Sequence, residues 1–365
     1  MIEVFGSTDT GRARNHNEDS LVVFSLEDGA RSDFERAIVM PEHSRGVLFM
    51  VADGMGGAAS GEVASAMAVD EVVRVLGEHW GITQRSSIDA RYIADTMRRA
   101  TEIANSRIHQ FAVEHSDHQG MGTTATIAAV FGRTLYISQI GDSRAYLVRR
   151  DKVYQLTRDQ SLMQRLVDAG ELTQEQAEQS ERRNIILQAL GPEPTVLTDI
   201  STQELRDGDV LLLCSDGLSG QVRESDILEV VQTHSGMKEV CEELVKLANE
   251  SGGPDNITAV AARFYGGDLP RPEEADEAGY SPVLRATGEP PLFSLDELIQ
   301  RTSTELSEEP VTFIDPPSGQ PVGESPYETP GKPTERGDDL HPYFIYGILI
   351  ATVLGLAIIL YRRSL

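Results

Sequence analysis

Apolar and polar positions recur along this chain in two periods, and the changes of period mark its elements. Val47 to Ala52 is an unbroken apolar run, the pattern of a buried strand, and it stops at Asp53-Gly54-Met55-Gly56-Gly57. Three glycines in four residues let the backbone turn sharply and come close to whatever the carboxylate holds. On its own this loop reads equally as a tight strand-to-helix turn or as a place for a metal ion or a phosphate. A strand near residue 4 and another from Leu21 to Leu26 precede it, followed by a polar, hairpin-like insertion, Glu27 to Gly46. From Glu62 to about His79 the spacing is helical, with Val63, Ala66, Met67, Val69, Val72, Val73 and Leu76 on one face. A second helix is predicted from about Ile88 to His115, its apolar face carrying Ile93, Met97, Ala100, Ala104, Ile108 and Phe111.

The period then shortens. Runs at 123–131, 134–140, 143–148 and 152–156 are short strands split by glycine and charged turns, which predicts an antiparallel meander. A short helix from Ser161 to Ala169 and a polar stretch, Glu171 to Arg183, follow. Val210 to Ser215 is again an apolar strand ending in Asp-Gly, here Asp216-Gly217. Helices at Glu224–Thr233 and Met237–Asn249 and a last strand, Ile257–Phe264, complete the patterned part. Strands, helices, strands, helices and a strand in that order predict segregated layers of the α+β class, two antiparallel sheets with helices outside.

Past residue 266 the composition changes. Residues 267–342 hold 13 of the chain's 17 prolines and 17 acidic against 5 basic residues, the composition of a disordered, extended linker. Within it Ser294 and Glu297 have capping-box spacing, with Leu295, Leu298 and Ile299 behind them. A transient helix is the simpler reading of this island, and a docking helix at 292–300 for a partner groove is the sharper one. Residues 343–361 carry no charge and have tyrosine at both ends, which predicts one transmembrane helix, with 362–365 a short basic tail. Basic residues tie across the span. The N-terminus lacks the features of a signal peptide, so the expectation is a single-pass membrane protein with domain 1–266 in the cytoplasm.

A net charge of −26 argues against nucleic acid as a partner, because its phosphate backbone is bound by Lys and Arg. The two cysteines, Cys214 and Cys241, form no metal-type pair and begin no Cys-x5-Arg phosphate loop. That removes zinc ribbons, disulfide scaffolds and cysteine-nucleophile phosphatases.

The candidate chemistry lies in acidic turns: Glu18-Asp19, Asp53-Gly54, Asp142-Ser143, Asp216-Gly217 and Asp255-Asn256. Each alone is a turn. Together, at strand ends of one sandwich, they can converge on one rim, where carboxylates repel unless cations neutralise them. Oxygen ligands without His or Cys suit Mg²⁺ or Mn²⁺. Two such ions roughly 4 Å apart hold a water, lower its pKa and stabilise an in-line displacement at phosphorus. Arg14, just ahead of Glu18, has the planar fork that a phosphate takes.

These segments resemble the PPM family, the metal-dependent type 2C protein serine/threonine phosphatases, in its bacterial form. The resemblance covers about residues 3–265. It rests on Arg14-x-x-Asn17-Glu18-Asp19, Ala52 to Gly57, Gly120-Met121-Gly122-Thr123-Thr124, Gly141 to Arg144, Thr157 to Ser161, Leu190-Gly191, Cys214 to Leu218 and Gly253 to Thr258. It implies a four-layer α-β-β-α sandwich and hydrolysis of phosphoserine and phosphothreonine in proteins, opposing a cytoplasmic serine/threonine kinase. It also implies that Asp53 bridges two Mn²⁺ or Mg²⁺ ions and that Asp216 and Asp255 bind the first. Glu18, Asp19 and the Gly54 carbonyl belong to the second, and Asp142, with Asp216, to a third, weaker one. Arg14 is the implied phosphate-binding arginine, and 162–185 the implied mobile flap.

Two positions depart from the pattern. Met55 stands where some members carry a His that protonates the leaving alkoxide, and Gln160 replaces a common His. A competing class, a membrane-bound pseudophosphatase that binds phosphoproteins without hydrolysing them, would require a missing metal ligand, and every expected carboxylate is present.

Overall fold

A computed structural model describes residues 1–283 except 27–28, 32–37, 41–45, 57–59, 82–88, 181, 183 and 267. Its first sheet contains β1 (Ile2–Asp9), β3 (Ile38–Met40), β8 (Arg144–Arg149), β9 (Lys152–Gln155), β11 (Val210–Cys214) and β12 (Ile257–Phe264). They lie in the order β3-β1-β12-β11-β8-β9. The second sheet contains β2 (Asp19–Ser25), β4 (Val47–Met55), β6 (Ala125–Phe131), β7 (Thr134–Ile140) and β10 (Asp199–Glu204), in the order β10-β7-β6-β4-β2. A two-residue strand, β5 (Gly122–Thr123), pairs with the end of β4. All of these pairings are antiparallel.

Strand alternation divides the core into layers. Leu21, Val23, Val47, Phe49, Val51, Leu211, Leu213, Val260 and Ala262 fill the space between the sheets. Their neighbours face outward. Val22, Leu48, Met50 and Ala52 meet α1 (Ser60–Gly81) and α2 (Ala90–Glu114) on the second sheet. Val210, Leu212, Ala259 and Ala261 meet α6 (Glu224–Thr233) and α7 (Met237–Glu250) on the first. The order helix, sheet, sheet, helix is the layered architecture expected. Strands buried on both faces explain why so many read as unbroken apolar runs. Helix starts are fixed locally: the Asp89 carboxylate accepts the Tyr92 N–H at 2.7 Å, a cap that contributes about 1 kcal/mol.

The meander differs from expectation. β6 and β7 belong to the second sheet, but β8 and β9 belong to the first. The chain crosses between the sheets at 141–143, where Gly141 takes a φ of +93° and a Cβ would lie 2.6 Å from the Thr124 side chain. The polar stretch after α3 (Leu162–Asp168) holds an unexpected single turn, α4 (Gln174–Glu178). A capping box between Thr173 and Gln176 starts it.

Residues 268–283, expected within the linker, pack beside β10 and the turn that follows it. Thr202 N–H donates to the Ser281 carbonyl at 3.0 Å, and Val283 N–H to that of Ile200 at 2.7 Å. Arg206 forks onto Asp276 at 3.0 and 3.1 Å. No helix among the described residues is long and apolar enough to cross a membrane. The span expected at 343–361, the island at 292–300 and the rest of the linker lie outside the described residues.

Candidate active site

The layer between the sheets turns polar at one rim. The series Val47, Phe49, Val51 continues to Asp53 on β4, and Leu21 and Val23 lead back to Asp19 on β2. Asp19 and Asp53 are register partners on adjacent strands, an arrangement that is destabilising when both are charged. Asp142 arrives from the crossover before β8. Asp216 opens a four-residue turn, α5 (Asp216–Ser219), directly after β11, and Asp255 precedes β12. Close backbone approach makes the convergence possible. A Cβ at Gly54 would lie 2.5 Å from the Glu18 carbonyl oxygen, and one at Gly217 would lie 2.0 Å from that of Asn256.

Burial and mutual repulsion dominate the electrostatics of these groups. Burial pushes the Asp19 and Asp142 carboxyls each up to about 7, and neighbouring aspartates add to it. Burial, then Asp19, Asp216, Asp142 and Asp255 in turn, raise Asp53 well above the carboxylate range. Asp216 is raised by burial and by Asp255, with Asp53 beside it and Arg14 and Arg144 acting against the shift. Glu18 is raised by burial too. Arg144, which acts on Asp142 and Asp216, is committed to Asp159 at 2.6 Å; a second cation at the rim is Arg14, whose Nη2 donates to Asp255 Oδ2 at 2.8 Å. Its own pKa is raised chiefly by that bond.

Neutral donors hold the rim in shape. Ser215 and Thr258 hydroxyls donate to Asp19 Oδ2 at 2.7 and 2.6 Å. Thr124 Oγ1 accepts the Asp53 N–H at 2.9 Å and meets the Ser143 hydroxyl at 2.7 Å. Asn256 accepts the Glu18 N–H at 2.8 Å and donates to the Thr10 and His16 carbonyls. These positioning side chains were not singled out from the sequence. The available signal was that Ser215 and Thr258 continue the same between-sheet series as the aspartates.

Asp19 Oδ1 and Asp142 Oδ1 are buried and accept no hydrogen bond. Two orphaned carboxylate oxygens, beside four further carboxyls (Asp53, Asp216, Asp255 and Glu18) and two arginines, fit hard divalent cations. Among the described residues no three His, Cys, Asp or Glu side chains already close on one point; Arg14 is bonded to Asp255, and Ser215 and Thr258 to Asp19.

The rim opens into a cleft of ≈ 1020 Å³ lined by Arg14, Asp142, Asp216 and Asp255 at one part and by Arg158 and Tyr280 at another. The expected flap borders it through Met163, Gln164, Gln174 and Asn184. Its base is closed by backbone bonds between Leu162 and Ile185 and between Gln160 and Leu187. Gln160, the replacement for a common His, braces the crossover: its Oε1 accepts the Gly141 N–H at 2.9 Å and a Gln188 amide N–H at 2.9 Å. Met55 lies over β5, where a Cβ on Gly122 would sit 2.9 Å from its Cε; a thioether offers no proton. Both cysteines are buried and free, and burial pushes their thiols up to about 12, which fits packing rather than reaction.

Comparison with known proteins fits this geometry. A family model described as Protein phosphatase 2C matches residues 19–260. The chain is 36% identical over 253 residues to the serine/threonine phosphatase Stp of Listeria innocua, covering 69% of this chain and 92% of that one. The solved serine/threonine phosphatase of S. agalactiae superposes with a TM-score of 0.63 at 32% identity, over 73% of this chain and all of that one. The catalytic domain of the phosphatase PstP, solved in complex with two manganese ions, gives a TM-score of 0.58 at 32% identity, over 73% of this chain and 100% of its own.

Proposed function

The chain belongs to the protein phosphatase 2C family and is a serine/threonine protein phosphatase, and from that premise we propose that it works with two Mn²⁺ or Mg²⁺ ions held by the acidic rim. Asp53, Asp216, Asp255, Glu18, Asp19 and the Gly54 carbonyl hold them, with Asp142 offering a further position. When bound, the ions offset the charge of the rim and supply a water of lowered pKa and charge stabilisation at phosphorus. Arg14 captures the phosphate: its guanidinium is half-exposed at the cleft and is tied only to Asp255, so it can fork onto phosphate oxygens once cations take over that carboxylate. The hydroxyls of Ser215 and Thr258 and the amide of Asn256 keep the acidic turns in place. The observation that carries the reading is the pair of orphaned, buried oxygens on Asp19 and Asp142 at a rim whose two arginines, Arg14 and Arg144, are each already bonded to an aspartate.

Asp53→Asn tests it. Hydrolysis of para-nitrophenyl phosphate in Mn²⁺ is expected to fall by about three orders of magnitude; retained activity would refute the metal assignment. The wider setting is part of the same proposal: the substrates are phosphoproteins, a cytoplasmic serine/threonine kinase is opposed, and the uncharged stretch 343–361 tethers the domain to the membrane. Removing residues 343–365 should move the protein from the membrane to the soluble fraction of a cell lysate; unchanged fractionation rules out the tether.

A further inference from the structure

Residues 268–283 lie beyond the stretch matched to the phosphatase family, 19–260, yet they are built into the domain. Pro282 bridges Ser201 in antiparallel sense. The Val283 carbonyl accepts from Arg98 at 2.7 Å, and Asp276 is held by Arg206. Leu269 and Ala278 pack on the core between the sheets. This strap carries Tyr280 to the cleft. The Tyr280 hydroxyl donates to Asp199 Oδ2 at 2.6 Å, which ties the side chain by its tip while the residue lines the same cleft as Arg14, Asp142, Asp216 and Asp255.

Two features of that cleft call for a role at the Tyr280 end. At ≈ 1020 Å³ it stands at the upper end of pockets that enclose a whole drug-sized ligand, whereas a phosphomonoester occupies only the acidic rim and Arg14. Arg158, also on the wall, is bonded to Asp168 of α3 at 2.6 Å in a pair exposed at 51% and 32%. Pairs so exposed contribute little to stability, so Arg158 is not committed to the frame. An aromatic ring fixed at its hydroxyl offers contact area at low entropic cost. We propose that Tyr280 is a specificity-determining residue, its ring contacting the polypeptide that flanks the phosphorylated residue; this rests on the phosphatase activity above.

Full-length wild type, Tyr280→Ala and Tyr280→Phe should be compared in Mn²⁺ on two substrates, para-nitrophenyl phosphate and a synthetic phosphothreonine peptide. The expected result is a roughly fivefold to tenfold loss of kcat/KM on the peptide for Tyr280→Ala, carried by KM. Para-nitrophenyl phosphate should be turned over within about twofold of wild type by both variants, because that substrate does not reach the strap. Tyr280→Phe should fall between wild type and Tyr280→Ala on the peptide, since the ring remains but loses its tie to Asp199. Equal losses on both substrates, no loss on the peptide, or a Phe variant as impaired as the Ala variant would each overturn the assignment. A wild type inactive on both substrates overturns the phosphatase reading, and this inference with it.

Discussion

The ladder between β8 and β11 ends in buried charge at both ends, and the two ends handle it in opposite ways. At one end Arg149 forks onto Asp209 at 2.9 and 2.7 Å, with side chains only 2% and 1% exposed. The spare donor of Arg149 goes to the Glu204 carbonyl, and Asp209 accepts the Arg206 N–H as well. Every charge there has a partner inside the chain. At the other end Asp142 and Asp216 join Asp19 and Asp53, and orphaned oxygens remain. A buried pair that is fully bonded is structure, whereas buried carboxylates that outnumber the cations beside them are a site waiting for charge from outside.

The sharpest way to break this contrast is to remove the internal cation. Arg149→Met leaves Asp209 buried and unpaired, and should cost about 3–5 kcal/mol in urea unfolding. The surviving folded molecules should keep their phosphatase activity, because Arg149 lies away from the rim. A cost below about 1 kcal/mol would mean that the pair is not the closed unit described.

The difference between the two ends is only half legible in the sequence. Acidic turns after apolar strands point to the rim, because alternation carries each series past its last apolar residue to a carboxylate on the same face: Val51 to Asp53, Leu21 back to Asp19. Arg149 and Asp209 are separated by 60 positions, and nothing local marks them as a pair. The same limit hid the strap. Its proline-rich, acidic composition matches the residues after it, and what fixes it is distant: Arg206, Arg98 and the backbone of β10. The crossover at 141–143 was unreadable for another reason. A Gly-Asp-Ser turn looks alike whether the next strand returns to its own sheet or passes to the facing one.

A pH series sharpens the comparison next. Asp19 and Asp142 titrate near 7 in the folded chain against an ordinary 3.8 when unfolded. Below about pH 4 both states are protonated and the rim imposes no penalty. Between about 4 and 7 the folded chain retains protons that the unfolded chain has released, so stability falls as pH rises, and above about 7 the loss is complete. At about 1.4 kcal/mol per pH unit, a separation of about three pH units is worth up to about 4 kcal/mol for each of the two carboxyls across that window. Melting temperatures in EDTA should show the decline, and saturating Mn²⁺ should flatten it, since cations replace the protons. A metal-free melting temperature that rises steadily from pH 4 to 8 contradicts the raised carboxyls.

The smallest effect is the most diagnostic, because its sign reverses with conditions. Asp53 faces Asp19 across the strand pair, and burial and the neighbouring aspartates make it costly to ionise, so Asp53→Asn removes that cost and supplies an amide donor. In EDTA at pH 8 the variant should be more stable than wild type by about 1–2 kcal/mol. With Mn²⁺ at a hundred times its Kd the wild type gains about 2.7 kcal/mol from binding, and the variant, lacking a ligand to the ions, should gain far less. The order of stabilities then inverts. A structural carboxylate such as Asp209 cannot produce that inversion, because its partner is already in the chain; an Asp53→Asn protein less stable in both conditions would place Asp53 with Asp209, as part of the frame and not of the site.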